Sequence, residues 1–203
     1  GMSVGRIDLS KSHNFLILEL RDSQQISRRR EESEKKPDKS FELELWTWNE
    51  MEVPTLQRDG RYRQDKSVTY IYDIFSKKLT EVAPFTVDLL LPSGAENLNY
   101  VLYTDESPYK MQREWLDRLP FDIYSVNVHT GAKRLIGRSY RTAPKWSVNG
   151  KWAVMYDPIA QVWNKFDGAT GKLVNISDAI GYPMFVESYD KPAPAPAYGI
   201  AGW

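Results

Sequence analysis

The chain contains no cysteine, which excludes a disulfide framework, a thiolate metal site and a cysteine nucleophile. It has no excess of either charge, because 27 Lys and Arg stand against 27 Asp and Glu, so no global field attracts nucleic acid. It also lacks any apolar run near the roughly 20 residues that a membrane-spanning helix needs. No motif implies a cofactor, so the function has to come from the fold and from local sites.

Aromatic residues are abundant, with seven Trp and twelve Tyr among 203 residues, and such side chains suit the half-buried surface of a sheet. Several segments combine apolar and polar alternation with turn residues between two runs, which is typical of hairpins. These segments are residues 5–22, 68–82, 122–136 and 161–176, and alternation at residues 41–46 predicts a further strand.

Two of the hairpins repeat one another. Gly131 and Gly171 each follow a Thr in the turn, and the strand at residues 98–105 corresponds to the strand at 150–157. Units of about 40 to 50 residues built from four strands are typical of propeller blades. The pattern therefore predicts an all-β fold and one partial β-propeller domain over residues 1–203, with about three antiparallel blade-like sheets and the start of another. The approximate blades are residues 5–83, 84–141 and 142–182, followed by a connection and the start of the next blade at 183–203.

Two segments depart from the strand pattern. Residues 23–40 mix basic and acidic side chains that neutralise one another, which favours a solvated insertion over a phosphate site at Arg28, Arg29 and Arg30. Residues 183–203 are rich in proline and end in what reads as the opening strand of a further unit. Because a propeller has at least about four blades, we expect the chain to belong to a larger ring. Open strand edges then predict self-association at high concentration.

Four segments resemble the N-terminal, non-catalytic β-propeller of bacterial serine peptidases of the prolyl oligopeptidase and dipeptidyl peptidase family. They are Leu-Glu-Leu-Trp-Thr-Trp-Asn at 43–49, Pro-Phe-Asp-Ile-Tyr-Ser-Val at 120–126, Ala-Pro-Lys-Trp-Ser-Val-Asn-Gly-Lys at 143–151, and residues 198–203. The resemblance implies a lobe that caps a separate α/β-hydrolase domain, limits access to its active site and contacts the peptide substrate. It also implies a periplasmic or exported location.

The chain itself is not expected to be an enzyme. The Gly-x-Ser-x-Gly turn that exposes a hydrolase nucleophile is absent, and the nearest match, residues 137–141, has the wrong last residue. His13 and His129 fall in turns of separate units, so both are interpreted as exposed turn residues and not as metal ligands or members of a catalytic triad. No catalytic, cofactor-binding or metal-binding residue is assigned.

Four residues are candidates for contacting a substrate or partner. Trp46 and Trp48 share the strand face of Glu42 and Glu44 and could stack on peptide or sugar, although packing between blades is the favoured interpretation. Arg113 and Trp115 lie in a short helix-like excursion at residues 111–119, and loops at the rim of a propeller are where function concentrates. The alternative function is a stand-alone propeller-like module of the bacterial envelope that binds proteins or carbohydrates.

Overall fold

The computed structural model describes residues 2–10, 12–22, 47, 50, 67–84, 87–91, 99–113 and 115–202. Their strands form three four-stranded antiparallel sheets in which sequence neighbours pair with one another. The first sheet holds β1 (Met2–Leu9), β2 (Phe15–Asp22), β3 (Ser67–Asp73) and β4 (Lys78–Ala83); the second holds β5 (Asp88–Leu90), β6 (Tyr100–Asp105), β7 (Phe121–Asn127) and β8 (Lys133–Tyr140); the third holds β9 (Lys145–Trp146), β10 (Trp152–Asp157), β11 (Val162–Asp167) and β12 (Leu173–Asn175).

The sheets stack face to face, and the second sheet lies between the other two. Its strand β6 shows why, because Val101 and Tyr103 pack against the first sheet while Leu102 packs against the third. A strand that is buried on both faces reads as a continuous apolar run, as residues 100–103 do. The all-β, partial β-propeller fold is confirmed. The division of the chain into blades at residues 5–83, 84–141 and 142–182 stays a prediction.

Each hairpin expected from the sequence is formed, as β1–β2, β3–β4, β7–β8 and β11–β12. The strand expected at residues 41–46 and the insertion at 23–40 lie outside the described residues. Residues 198–202 are described outside any strand, so the opening strand of a further blade stays a prediction. Within the described ranges, no helix is long and apolar enough to cross a membrane.

The excursion between β6 and β7 is helical, but earlier than the 111–119 expected. A 3₁₀ helix spans Ser107–Gln112, with a proline in its first turn. Asp105 accepts a hydrogen bond of 2.8 Å from the backbone N–H of Ser107, and proline has a φ that suits a helix start. The helix therefore begins where β6 ends, and residues after 112 return as irregular chain.

One five-residue turn is used four times. Asp73, Asn127, Asp157 and Asp167 each end a strand, and the Oδ1 of each accepts the backbone N–H groups two and three residues further on at 2.9 to 3.1 Å. The fifth residue of each turn has a positive φ, at Lys77 (54°), Gly131 (74°), Gln161 (57°) and Gly171 (69°). The two Thr-Gly turns seen in the sequence are thus two of these four turns, and the other two adopt the same conformation without Thr and Gly.

The face of the first sheet that points away from the second sheet is strongly apolar. Strand register places three rows of apolar side chains there: Leu9, Leu16, Tyr72 and Leu79; Ile7, Leu18 and Tyr70; Val4, Leu20 and Val68. The inward face carries the core residues Phe15, Ile71, Val82 and Ala83, but it also holds polar residues such as Asp8, Glu19 and Thr80. We call the first set the outward face. Its members Val4, Ile7, Leu9 and Leu79 are 48 to 58% exposed.

Candidate binding site

The two ends of the sheet stack differ. The turn end carries the tight turns that follow β1, β3, β7, β9 and β11, together with the connection between β5 and β6. The opposite end, which we call the cavity end, is where β2 ends and β3 begins, where residues 106–120 leave and rejoin the second sheet, and where the tail after β12 returns. The two longest stretches of chain between consecutive described strands therefore start and finish at the cavity end. Binding residues commonly lie on such loops.

A cavity of about 200 Å³ opens at this end. Four separate stretches of chain form it: the excursion after β6, the chain after β8, the turn after β10, and the proline-rich tail. Its lining residues are Asp117, Arg118, Arg141, Thr142, Tyr156, Pro158, Tyr189, Pro194 and Pro196. Five of the nine lining residues are thus prolines or tyrosines, and three are charged.

The excursion is fastened to the sheet by a buried carboxylate. The hydroxyl of Tyr109 donates to Oδ1 of Asp122 at 2.5 Å, and the backbone N–H of Ser139 meets both groups at 3.0 and 3.2 Å. Burial raises the pKa of Tyr109, and its hydrogen bond to the Asp122 carboxylate raises it further. These contacts tie the 3₁₀ helix to β7 and β8, and so fix the part of the chain that leads to Asp117 and Arg118.

The tail supplies the opposite wall. The backbone N–H of Val186 donates to the carbonyl of Pro196 at 2.9 Å, and Phe185 forms an antiparallel bridge with Ala197. The tail therefore folds back on itself as a hairpin. This brings Pro194 and Pro196 beside residues that are far away in the sequence.

Positive charge predominates around the cavity. Asp117 faces two cations, with its carboxylate oxygens 3.4 Å from an Arg141 guanidinium nitrogen and 3.5 Å from Nζ of Lys191. Arg118 lines the same cavity and has no ion-pair partner among the described residues. Two arginines and one aspartate thus line the cavity itself, and this excess of one positive charge favours an anionic ligand.

Tyr156 lies in the cavity wall and is only 2% exposed. Within the described part of the chain its hydroxyl has no hydrogen-bond partner. Burial, and secondarily the Asp157 carboxylate, raise the pKa of this hydroxyl. By contrast, the hydroxyl of Tyr140 approaches Asp157 Oδ2 at 3.5 Å and accepts from Asn164 at 3.4 Å. A buried hydroxyl without a hydrogen-bond partner lowers the stability of the fold. Tyr156 therefore marks a position in the cavity wall where a hydrogen-bond partner is missing.

The candidate residues from the sequence fall partly outside this site. Trp46 and Trp48 lie outside the described residues, as do Glu42 and Glu44. Arg113 and Trp115 are described and exposed, with Trp115 at 85%, but neither lines the cavity. They precede Asp117 and Arg118 in the same excursion, and their role in binding a substrate or partner stays a prediction.

His129 serves a structural contact at the turn end. Its Nδ1 lies 3.9 Å from Asp73 Oδ2, its Nε2 lies 3.2 Å from Asn99 Oδ1, and its ring packs near Phe15. These partners are two residues of the first sheet and one of the loop before β6. Within the described ranges, the partner of Nε2 is the Asn99 amide and not the hydroxyl that a triad would require. Among the described residues, no group of three or more His, Asp or Glu side chains could hold a metal ion.

The nearest match to a nucleophile turn also has a different role. Ser139 lies within β8 and has a positive φ of 56°. Its N–H binds Tyr109 and Asp122, which places it at the cavity end, while both histidines lie in turns at the other end. The structure therefore does not bring Ser139 together with either histidine for acyl transfer.

No family model matches the chain, and no curated protein matches it either. Among solved structures, it is similar to the β-propeller domain of the Trilobed protease from Pyrococcus furiosus, described as having an open velcro topology. The TM-score is 0.38 and the identity 7%, over 85% of this chain and 41% of that chain. The chain thus spans less than half the length of that structure. The partial propeller is therefore assigned from the three four-stranded antiparallel sheets.

Proposed function

We propose that this chain is the non-catalytic propeller lobe of a serine peptidase. In this role it limits access to an α/β-hydrolase domain encoded outside these 203 residues and helps to position the peptide substrate. The observation that carries the proposal is the outward face of the first sheet. That face is more apolar than the face that packs on the second sheet, as expected of a blade that has a neighbour on both sides.

The sequence resemblance supplies the peptidase part of the proposal, and the two ends of the stack are compatible with it. Long connections and the cavity lie at one end, where a substrate could be met. Catalytic groups would come from the hydrolase domain, because the described residues hold no assembled triad.

The peptidase proposal is tested by the reading frame that encodes this chain and by the activity of its products. We expect the frame to continue beyond Trp203 with further blades and a Gly-x-Ser-x-Gly motif. We also expect the full-length product to cleave peptide nitroanilides, while the 203-residue chain does not. A frame that stops close to Trp203 contradicts the peptidase role, and serine-inhibitor-sensitive turnover by the chain alone contradicts its non-catalytic character.

The role of the outward face is tested by sedimentation velocity. An exposed apolar sheet face and free strand edges should make the chain self-associate at high concentration. Ile7→Lys places a charge in the outward face and should shift the chain toward monomer. Ile159→Lys is the matched control, because Ile159 is 68% exposed in a turn of the third sheet. A wild-type chain that stays monomeric, or two variants that associate to the same extent, would show that the outward face is not a surface for association with another sheet.

A stand-alone interaction module is the second candidate. It is favoured by exposed tryptophans: Trp115 is 85% exposed, and Trp152 is 40% exposed with Nζ of Lys165 5.4 Å from its ring centroid. A reading frame that ends near Trp203, together with binding to a protein or glycan that is lost in Trp115→Ala, would establish this candidate over the peptidase lobe.

A further inference from the structure

We propose that the cavity between the excursion and the proline-rich tail binds the carboxylate of an apolar residue, such as the C-terminal residue of a peptide. This inference stands on the cavity alone and goes beyond the peptidase proposal, because such a site would function with or without a hydrolase domain. Four features of the cavity support the inference: the balance of charges, the proline and tyrosine rings in the wall, the volume, and the hydroxyl of Tyr156.

The charge balance selects a monoanion. Arg118 is free of ion pairs among the described residues, and Arg141 reaches Asp117 only at 3.4 Å. A guanidinium group binds a carboxylate through two parallel hydrogen bonds, so these two arginines form a suitable receptor. Asp117 remains in the same wall and would repel a ligand that carries more than one negative charge close by.

The walls select an apolar partner for that carboxylate. Pro158 is a buried residue of the turn after β10, and Tyr189, Pro194 and Pro196 of the tail hairpin line the same cavity. Proline and tyrosine rings offer flat apolar surfaces for an aliphatic or aromatic side chain. A ligand would therefore place its charge toward the arginines and its side chain among the rings.

The size of the cavity limits the ligand to about one residue. Sites for drug-sized ligands and cofactors usually have about 300–1,000 Å³, whereas this cavity has about 200 Å³. A nucleotide or an oligosaccharide would not be enclosed. The last residue of a peptide, or a free acid of similar size, would be, with the rest of a peptide leaving along the cavity end.

The hydroxyl of Tyr156 completes the site. Tyr156 lines the cavity, and its hydroxyl is shielded from bulk water, lies near the Asp157 carboxylate and has no hydrogen-bond partner in the described chain. Exposure of this hydroxyl to an entering ligand would let it donate a hydrogen bond to a carboxylate oxygen. Ligand binding would then satisfy a group that the unliganded chain leaves unpaired.

Isothermal titration calorimetry tests the proposal with four probes: N-acetyl-phenylalanine, N-acetyl-phenylalanine amide, a pentaalanyl-phenylalanine peptide with a free C-terminus, and sodium phosphate. We expect both free acids to bind at least tenfold more tightly than the amide, and phosphate not to compete. Tighter binding of the peptide than of N-acetyl-phenylalanine identifies a peptide C-terminus as the ligand; equal binding identifies a small free acid. Equal affinity for acid and amide, or competition by phosphate, would overturn the carboxylate proposal.

Three variants assign the contacts. Arg118→Gln should weaken binding of the free acid at least tenfold, while the matched variant Arg138→Gln changes an exposed arginine of β8 outside the cavity and should leave it unchanged. Tyr156→Phe should weaken binding severalfold, and an unchanged affinity would remove the hydroxyl from the site. Unaltered binding in Arg118→Gln, or an equal loss in Arg138→Gln, would overturn the placement of the ligand in this cavity.

Discussion

The turn end and the cavity end belong to the same three sheets but differ in the length of their connections and in their contacts. At the turn end, Asp73, Asn127 and Asp167 hold repeated turns, and contacts such as Lys133 to Glu81 at 2.9 Å and the Arg134 guanidinium to the carbonyl of Gly171 join neighbouring sheets. At the cavity end, long connections leave a cavity, unbalanced charge and an unpaired hydroxyl. The repeated turns and contacts between sheets thus lie at one end, and the proposed binding site lies at the other.

The largest effect is expected from Gly171→Ala at the turn end. Gly171 has a φ of 69°, and an added Cβ would lie 2.9 Å from the Tyr100 ring. A left-handed conformation alone costs an alanine about 1–2 kcal/mol, and the contact with the ring adds to this cost. Gly181→Ala in the tail is the control, because a Cβ there meets nothing within 4 Å. Denaturant unfolding should separate the two variants by more than 1 kcal/mol; equal stability would contradict the division between the ends.

Asp167→Ala should cost about 1 kcal/mol at neutral pH, because it removes two hydrogen bonds from the turn after β11. The N–H groups of Thr170 and Ala169 hold the pKa of Asp167 below its usual 3.8. A lowered folded-state pKa contributes stability above the unfolded pKa, and this contribution is lost as pH falls through the folded value. The gap between wild type and variant should therefore narrow below pH 3.8. A gap that stays constant between neutral and acid pH would contradict this.

Tyr156→Phe and Tyr140→Phe compare how a buried hydroxyl without a described partner and a hydrogen-bonded hydroxyl affect stability. Removing the partnerless hydroxyl of Tyr156 should leave stability unchanged or raise it by up to about 1 kcal/mol, because a desolvated group is removed. Removing the hydroxyl of Tyr140 should lower stability by about 1 kcal/mol, because Asn164 and Asp157 lose their partner. Thermal unfolding of both variants checks the order, and a less stable Tyr156→Phe would show that its hydroxyl is bonded.

The smallest effect comes from Lys77→Gly and Gln161→Gly, which occupy the same position of the repeated turn at opposite ends. Both have a positive φ that glycine adopts without a Cβ penalty. Each should raise the free energy of unfolding by about 0.5–1 kcal/mol, since the strain is local to the turn. Stabilisation at one end only would show that the ends also differ in how rigidly they hold the turn.

Much of the fold follows from local sequence, whereas the cavity does not. The turns at Asn127 and Asp167 were predictable because Asp, Asn, Thr and Gly have defined turn chemistry, but Lys77 and Gln161 occupy the same conformation without that signal. The apolar run at residues 100–103 predicts a strand without stating which residues face which sheet. The cavity joins Arg118 to Pro194 and Pro196, and no periodicity relates residues so far apart.

The most direct test is a ¹H–¹⁵N correlation spectrum of the chain titrated with the free-carboxylate peptide. Signals of Arg118, Thr142, Tyr156 and Tyr189 at the cavity end should shift, while Thr130 and Thr170 in the tight turns stay unchanged. Shifts confined to the turn end, or spread equally over both ends, would contradict the separation of binding from stability on which the account depends.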